Sequence, residues 1–241
     1  MRILPVSAFR LNSYTTDNNK PALPKTGYDS FTGSKLSPFK VFPDFGTVEF
    51  FAKNLKVLKP PQAIKKQIIR VADEINNSYP QNEPLTAVCV LRGGTPFFQE
   101  LVKHLKMPVQ MEYISVSSYG HGLQSSGKIK ISGKLPDLNG KNVLIADDVV
   151  DTGNTLNELV KQFKSLRAKS VKTAVLYDKA DKRVEICKDL KPDFAGFSEE
   201  NSPFLIGYGL DLFGHGRGLP YIGAAKPGFV EKLKTSGLLD N

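Results

Sequence analysis

Two short apolar runs constrain the fold of this chain more than any other feature. Residues 85–91 (LTAVCVL) and 142–146 (NVLIA) are almost entirely apolar. Such runs are typical of strands that are buried on both faces, as in a parallel sheet covered by helices. Parallel neighbours need a crossover, usually a helix, so the flanking sequence should alternate between strand and helix patterns.

This alternation is present from Pro60 onward. It predicts an α/β fold with an open, mainly parallel sheet flanked by helices. Helical apolar stripes run over 64–75, 97–105 and 156–166, and further strand patterns run over 109–116, 128–131, 171–177, 194–197, 204–210 and 221–224.

The N-terminal residues 1–37 lack either period. They are rich in Asn, Thr, Pro, Gly and Lys, a composition that favours disorder over packing. We therefore predict a disordered tail over 1–37 and one folded domain over 38–241. No apolar stretch approaches the roughly 20 residues that span a bilayer, so we expect no membrane partner.

The net charge of +9 raises the question of a nucleic-acid partner. Residues 1–40 hold six Lys or Arg and two Asp, so they carry four of these nine charges. The rest of the chain carries only a modest excess of positive charge, which a small polyanion can explain as well as a nucleic acid can. We therefore expect no nucleic-acid partner. The two cysteines are too few for a disulfide framework, and Cys89 lies in an apolar run where a buried, inert thiol is expected. Because this cysteine content fits a reducing compartment, we expect a cytoplasmic location.

The segment 143–155 (VLIADDVVDTGNT) combines carboxylates with a loop suited to an anion. Ligands of such sheets bind beyond the carboxyl ends of the strands, where this segment lies. Backbone N–H groups and hydroxyls of residues 152–155, together with a helix N-terminus, can bind one phosphate, and Gly153 permits a close approach. Asp147 and Asp148 can accept hydrogen bonds from a sugar diol or hold a metal. A phosphorylated ribose carries both kinds of group.

This string resembles the phosphoribosyl-pyrophosphate signature of the type I phosphoribosyltransferases. The resemblance extends from about residue 38 to 225 and is greatest to their hypoxanthine-guanine branch, which implies a small hood subdomain and a mobile lid hairpin. Four further stretches match in order: LRGG (91–94), SSYGHGLQSSGKIKI (117–131), VLYDKADKR (175–183) and SPFLIGYGLD (202–211) followed by Arg217.

The resemblance also implies a role for individual residues. Asp151 is the catalytic residue, which contacts the purine N7 edge and assists removal of the proton. The resemblance assigns pyrophosphate binding to Arg92, Gly93 and Arg217, and the peptide before Arg92 is often cis in the family. It assigns ribose and phosphate binding to Asp147, Asp148, Thr152, Gly153, Asn154 and Thr155, and the lid to Ser118 and Tyr119. It assigns base binding to Lys179, Phe204 and Leu205, and Mg²⁺ binding to Asp211, Asp147 and Asp148.

Three features depart from the family pattern. The acidic pair is Asp-Asp where Glu-Asp is commoner, which shortens one carboxylate arm. The segment GHGRGLP around Arg217 is unusually rich in glycine, and the N-terminal tail has no counterpart in compact family members.

The expected function is purine salvage. Hypoxanthine and/or guanine plus phosphoribosyl pyrophosphate would give the nucleoside 5′-monophosphate and pyrophosphate, in a homodimer or homotetramer. Another base such as xanthine remains open, while Lys179 argues against adenine because an ammonium group cannot accept from an amino group. The alternative from a different class is a non-catalytic nucleotide-sensing regulator with the same fold.

Overall fold

The computed structural model describes residues 38, 42–118, 129–132 and 135–238. The predicted tail and most of the predicted lid, including Tyr119, lie outside the described residues. Within the described part, no helix combines the length and the apolar character that a membrane crossing requires.

The described residues form two sheets. The larger has six strands, and the smaller, antiparallel sheet belongs to the predicted hood. The elements in chain order are α1 (Val48–Asn54), β1 (Leu55–Lys59), α2 (Pro61–Ser78), β2 (Leu85–Leu91), α3 (Thr95–Val102), β3 (Val109–Ser118), β4 (Ile129–Ser132), β5 (Asn142–Val150), α4 (Asn154–Ser165), β6 (Ser170–Asp178), β7 (Phe194–Ser198), β8 (Leu205–Ile206), β9 (Ile222–Ala225) and α5 (Pro227–Thr235).

The larger sheet has the strand order β4-β3-β2-β5-β6-β7. Strands β3, β2, β5, β6 and β7 pair in parallel, and only β4 runs antiparallel, against the end of β3. The open, mainly parallel sheet is therefore confirmed. Strand β5 extends four residues beyond the predicted end at 146, because Asp147 still pairs with Val175 in the ladder.

Helices cover both faces of this sheet, as the apolar runs predict. Side chains of α2 and α3, including Ile68 and Phe98, pack on one face, and Leu159 and Phe163 of α4 pack on the other. All four side chains are fully buried, and burial of each contributes about 1.5–3 kcal/mol. The two helical layers leave the carboxyl ends of the strands open.

The hood is built from both ends of the described chain. Its strands have the order β1-β9-β8, and its core joins Phe50 and Phe51 of α1 to Phe229 and Leu233 of α5. The ring centroids of Phe50 and Phe229 lie 5.4 Å apart in an edge-to-face arrangement. Residues distant in sequence therefore form one small aromatic core.

An ion pair connects the hood to the larger sheet. Lys59, at the end of β1, binds the Glu199 carboxylate, which follows β7 and also accepts from the Tyr177 hydroxyl of β6. The Lys59 hydrogen bond, followed by that of Tyr177, lowers the pKa of Glu199.

One predicted strand is wrong in extent. The pattern at 204–210 forms a strand only over Leu205–Ile206, and the chain then enters tight turns. Tyr208 has a φ of +50°, and the Gly207 N–H bonds to the Leu210 carbonyl. A Cβ at position 209 would lie 2.0 Å from the Gly93 carbonyl oxygen, so the turn brings the hood against the loop after β2.

Candidate active site

The loop between β5 and α4 forms a cavity at the carboxyl end of the sheet. Helix α4 begins at Asn154, and the preceding Gly153 has a φ of +86°. The first N–H groups of a helix lack partners within the helix and carry the positive end of its dipole, which suits a phosphate. The cavity encloses about 120 Å³ and is lined by Asp147, Val149, Val150, Asp151, Thr152, Gly153, Thr155 and Leu156. The geometry fits the predicted phosphate role of residues 152–155.

Gly153 is required here by space as well as by conformation. A Cβ at this position would lie 2.9 Å from the Cβ of Cys187 and 2.9 Å from a methyl carbon of Leu190. The Cys187 thiol is buried and lies 3.6 Å from the Asn154 side-chain oxygen, to which it donates. The segment after β6 therefore packs against the phosphate loop.

The acidic pair lies beside this cavity. Asp147 is 8% exposed, and its carboxylate accepts from the Asp148 backbone N–H at 2.8 Å. Burial, with the neighbouring Asp148 carboxylate, raises the pKa of Asp147 well above its ordinary value. A desolvated carboxylate beside a second one is an environment that sugar hydroxyls or a cation would stabilise.

The predicted pyrophosphate loop lies against Asp148. The Leu91–Arg92 peptide is cis, as the resemblance implies. A Cβ on Gly93 would fall 1.8 Å from an Asp148 carboxylate oxygen, so only glycine permits this approach. The structure therefore brings the predicted ribose-binding and pyrophosphate-binding segments together.

The base-binding candidates lie beyond the ends of β6 and before β8. The Lys179 side chain is 8% exposed, and its ammonium lies 3.8 Å from the Asp151 carboxylate, which is 54% exposed. Phe204 is 60% exposed and can offer a ring face. Leu205 is buried in the core, which leaves only its main chain for a base contact. The structure thus brings together Lys179 and Asp151, two residues that the resemblance assigns to the base.

Arg183 is a residue that the sequence reasoning missed. Its guanidinium pairs with Asp178, and the two side chains are 3% and 8% exposed. The Nη1 atom also donates to the carbonyl oxygens of Val150 at 3.0 Å and Asp151 at 2.6 Å. A further bond from Nη1 reaches the Lys179 carbonyl at 3.2 Å. Arg183 therefore fixes the backbones of both Asp151 and Lys179, although its position in a basic stretch gives no signal of this role.

The hood contributes a second arginine, on its glycine-rich loop. Arg217 lies 2.5 Å from the Asp211 carboxylate and donates to the Gly209 carbonyl at 2.6 Å. The same Asp211 carboxylate accepts from the Gly214 N–H at 2.6 Å. The predicted metal ligand and the predicted pyrophosphate ligand are thus paired with each other. The lid residue Ser118 ends β3, and its partner Tyr119 is outside the described residues.

The resemblance implies a magnesium ion, which carboxylate oxygens of the site would have to hold. Among the described residues, no group of three or more His, Cys, Asp or Glu side chains is placed to hold a metal ion. Asp147, Asp148 and Asp211 therefore do not form a cage of protein ligands alone. Magnesium is usually held by one or two carboxylates together with waters and substrate phosphates. These oxygen donors, with Asp147 buried and Asp148 partly exposed, fit that kind of site.

The chain is similar in sequence and in fold to known phosphoribosyltransferases. The phosphoribosyl transferase domain family matches residues 55–211. A hypoxanthine-guanine phosphoribosyltransferase of Bacillus subtilis is 40% identical over 177 residues, which are 73% of this chain and 96% of that protein. One from Aquifex aeolicus is 41% identical over 175 residues, 72% of this chain and 96% of that protein. A crystal structure of a hypoxanthine phosphoribosyltransferase from Staphylococcus aureus has a TM-score of 0.69 at 30% identity, covering 74% of this chain and 96% of that one. The chain belongs to the phosphoribosyltransferase family.

Proposed function

We propose that this protein is a purine salvage enzyme that converts hypoxanthine and/or guanine, with phosphoribosyl pyrophosphate, to the nucleoside 5′-monophosphate and pyrophosphate. The observation that carries the proposal is the contact between the buried Lys179 ammonium and Asp151, next to the phosphate cavity. An ammonium donates to the 6-oxo group of a purine, and a carboxylate accepts the proton of the ring. The similarity to hypoxanthine-guanine phosphoribosyltransferases supports the same reaction.

In this proposal the protein positions the substrates and handles one proton. The loop 152–155 binds the 5′-phosphate, and Asp147 and Asp148 accept from the ribose hydroxyls. Arg92, Gly93 and Arg217 bind the pyrophosphate that leaves the anomeric carbon. Lys179 orients the base, Phe204 stacks on it, and the Asp151 carboxylate takes the purine proton as the glycosidic bond forms.

Magnesium is part of the proposal. When bound, it would neutralise the charge of the departing pyrophosphate. Asp211 would hold it directly or through water, with Asp147 and Asp148 nearby. Because Asp211 is paired with Arg217 in this structure, both side chains must exchange partners when the pyrophosphate group binds.

Substrate range is tested with a panel of bases. Pyrophosphate release is measured with phosphoribosyl pyrophosphate and Mg²⁺ in the presence of hypoxanthine, guanine, xanthine, adenine or uracil. We expect release with hypoxanthine or guanine and none with adenine. Release of pyrophosphate with xanthine alone would make xanthine the substrate. Binding of phosphoribosyl pyrophosphate without release of pyrophosphate for any base would favour the nucleotide-sensing regulator.

The role of Asp151 is tested by Asp151→Asn, which keeps the shape of the side chain and removes the base. A general base contributes about 10²- to 10⁴-fold, so kcat should fall by that factor. Affinity for phosphoribosyl pyrophosphate with Mg²⁺, measured by calorimetry on the same preparation, should be unchanged. A parallel loss of affinity and kcat would make Asp151 a binding residue.

Assembly and location complete the proposal. We propose a homodimer or homotetramer in the cytoplasm. Two buried, free cysteines support a reducing compartment, and burial raises the pKa of the Cys89 thiol to about 12, which supports its inert role. Light scattering of the purified chain measures the oligomeric state.

A further inference from the structure

The glycine-rich loop of the hood rests on residues that precede the family match. The imidazole of His215 lies edge-on to the ring of Phe45, with centroids 5.2 Å apart. The ring of Phe213 lies 6.0 Å from the same Phe45 ring. The family match covers residues 55–211, so Phe45 and the residues of this loop after Asp211 lie outside it.

Gly46 gives the imidazole its space. A Cβ at this position would lie 2.6 Å from His215 Nδ1, closer than any real contact of a Cβ. The φ of Gly46 is +92°, a conformation that residues with side chains rarely adopt. Phe45 and Gly46 therefore form a fitted surface under His215, which we call the His215 seat.

The loop above the seat has a conformation that packing must maintain. Phe213 has a φ of +52°, which is uncommon for a residue other than glycine. A Cβ on Gly216 would lie 3.1 Å from a ring carbon of Phe51, so the backbone also lies directly on α1. Backbone conformations of this kind persist only where the surroundings determine them.

His215 connects the seat to the two charged residues of the loop. The backbone groups of His215 and Leu212 exchange hydrogen bonds of 2.9 and 3.0 Å. Asp211 precedes this bonded pair and Arg217 follows it. His215 therefore belongs to the hydrogen-bonded turn that separates the two charged residues.

We propose that Phe45 and Gly46 are positioning residues, which hold the loop 211–217 through His215 so that Asp211 and Arg217 meet the metal and the pyrophosphate group. This inference rests on the proposed function of those two residues. The seat contacts the loop 211–217 of the hood, whereas Lys179 and Asp151 directly follow β6 and β5 of the larger sheet. The other base-binding candidates, Phe204 and Leu205, lie at β8 of the hood but outside this loop. Damage to the seat should therefore weaken phosphoribosyl pyrophosphate binding more than base binding.

The test is Gly46→Ala in the full chain, with Gly237→Ala as the matched control. Gly237 also belongs to the hood and has a φ of +70°, but no atom lies within 4 Å of a Cβ there. Misplacement by about 1 Å can cost up to about 10²-fold, and we expect Gly46→Ala to raise the KM for phosphoribosyl pyrophosphate about tenfold. The KM for hypoxanthine should change less than about twofold, and Gly237→Ala should alter neither value by more than about twofold.

A rescue experiment separates the seat from a general loss of stability. His215→Ala removes the ring that the new methyl group would meet. The double variant Gly46→Ala/His215→Ala should therefore have a KM for phosphoribosyl pyrophosphate no higher than that of His215→Ala alone. Equal increases in both KM values for Gly46→Ala, or additive effects in the double variant, would overturn the proposal.

Calorimetry distinguishes failure of the seat from failure of the proposed function. If the wild type binds phosphoribosyl pyrophosphate with Mg²⁺ but forms no nucleotide, the proposed reaction fails, and a roughly tenfold weaker Kd in Gly46→Ala still supports the seat. If the Kd of Gly46→Ala for phosphoribosyl pyrophosphate equals that of Gly237→Ala, the proposed role of the seat is overturned. The same holds if the wild type does not bind phosphoribosyl pyrophosphate. Should Gly46→Ala not fold, Phe45→Leu replaces it and should weaken the Kd by about two- to fivefold.

Discussion

Two arginine–aspartate pairs of the described residues lie at the site and differ in burial. The side chains of Arg183 and Asp178, at the end of the larger sheet, are 3% and 8% exposed. Those of Arg217 and Asp211, in the hood, are 35% and 29% exposed. The same chemistry therefore occurs once inside the protein and once at its surface.

The difference separates a fixed part of the site from an exchangeable one. Opening the buried pair would leave an uncompensated charge in a dry environment, which costs several kcal/mol. Opening the partly exposed pair costs about 1 kcal/mol or less because water can reach each partner. The sheet end can thus hold Asp151 and Lys179 rigidly, while the hood can release Asp211 and Arg217 to a charged ligand.

The largest expected effect follows removal of the buried arginine. Arg183→Met should lower the free energy of unfolding by about 3–5 kcal/mol, because Asp178 is left buried and unpaired. Urea denaturation measures the loss. The double variant Arg183→Met/Asp178→Asn removes the stranded charge and should recover part of it. No recovery would mean that the bonds of Arg183 to the backbone, and not the ion pair, dominate its contribution.

A smaller effect is expected for the buried Lys179. Lys179→Gln removes a charged donor to the base, worth about 1.5–3 kcal/mol, so kcat/KM for hypoxanthine should fall roughly 10- to 150-fold. Steady-state kinetics should show a nearly constant KM for phosphoribosyl pyrophosphate. Unchanged kinetics with hypoxanthine would remove Lys179 from the base site.

The partly exposed pair should behave in the opposite way to the buried one. Arg217→Met should change the free energy of unfolding by less than about 1 kcal/mol, since Asp211 remains hydrated. Loss of a charge-assisted contact should nevertheless weaken phosphoribosyl pyrophosphate binding about tenfold or more. Urea denaturation and calorimetry together check this prediction. A stability loss as large as that of Arg183→Met would contradict the distinction between the two pairs.

The smallest effect concerns the ion pair between hood and sheet, and it depends on pH. Because the folded state lowers the pKa of Glu199, its contribution is present above the ordinary Glu pKa of about 4.3 and is lost as pH falls through the folded pKa. Glu199→Gln should cost up to about 1 kcal/mol at pH 7 and nothing at low pH. Glu185→Gln is the control, because its side chain is 86% exposed. Thermal unfolding of both variants across this pH range measures the difference, and an equal pH dependence would contradict the prediction.

Local sequence determines the sheet and its phosphate loop. An apolar strand, the Asp-Asp pair, Gly153 and an amphipathic helix follow one another within 25 residues, so their order is visible in the sequence. The alternating pattern therefore predicts both the fold class and the position of the loop. The end of β5 was missed because Asp147 is a polar residue that still continues the ladder.

The hood depends on contacts that no local pattern contains. Phe50 and Phe51 lie in a short segment without a clear period, and their partners include Phe229 at the other end of the chain. The run 204–210 has the composition of a strand, but the backbone N–H groups of Tyr208 and Gly209 donate to the carbonyls of Leu219 and Arg217, and these bonds hold the chain in a tight loop. The bonds of Arg183 to three carbonyl groups depend in the same way on tertiary structure.

A hood made from both ends of the described residues also sets an order on synthesis. Every strand of the larger sheet has been translated once residue 198 is reached, but the hood needs roughly 40 further residues, about 2–8 s at 5–20 residues per second. During that interval Phe50 and Phe51 have been made and Phe229 has not. We therefore expect the core of the hood, and with it the packing under the loop 211–217, to form only after α5 has been made.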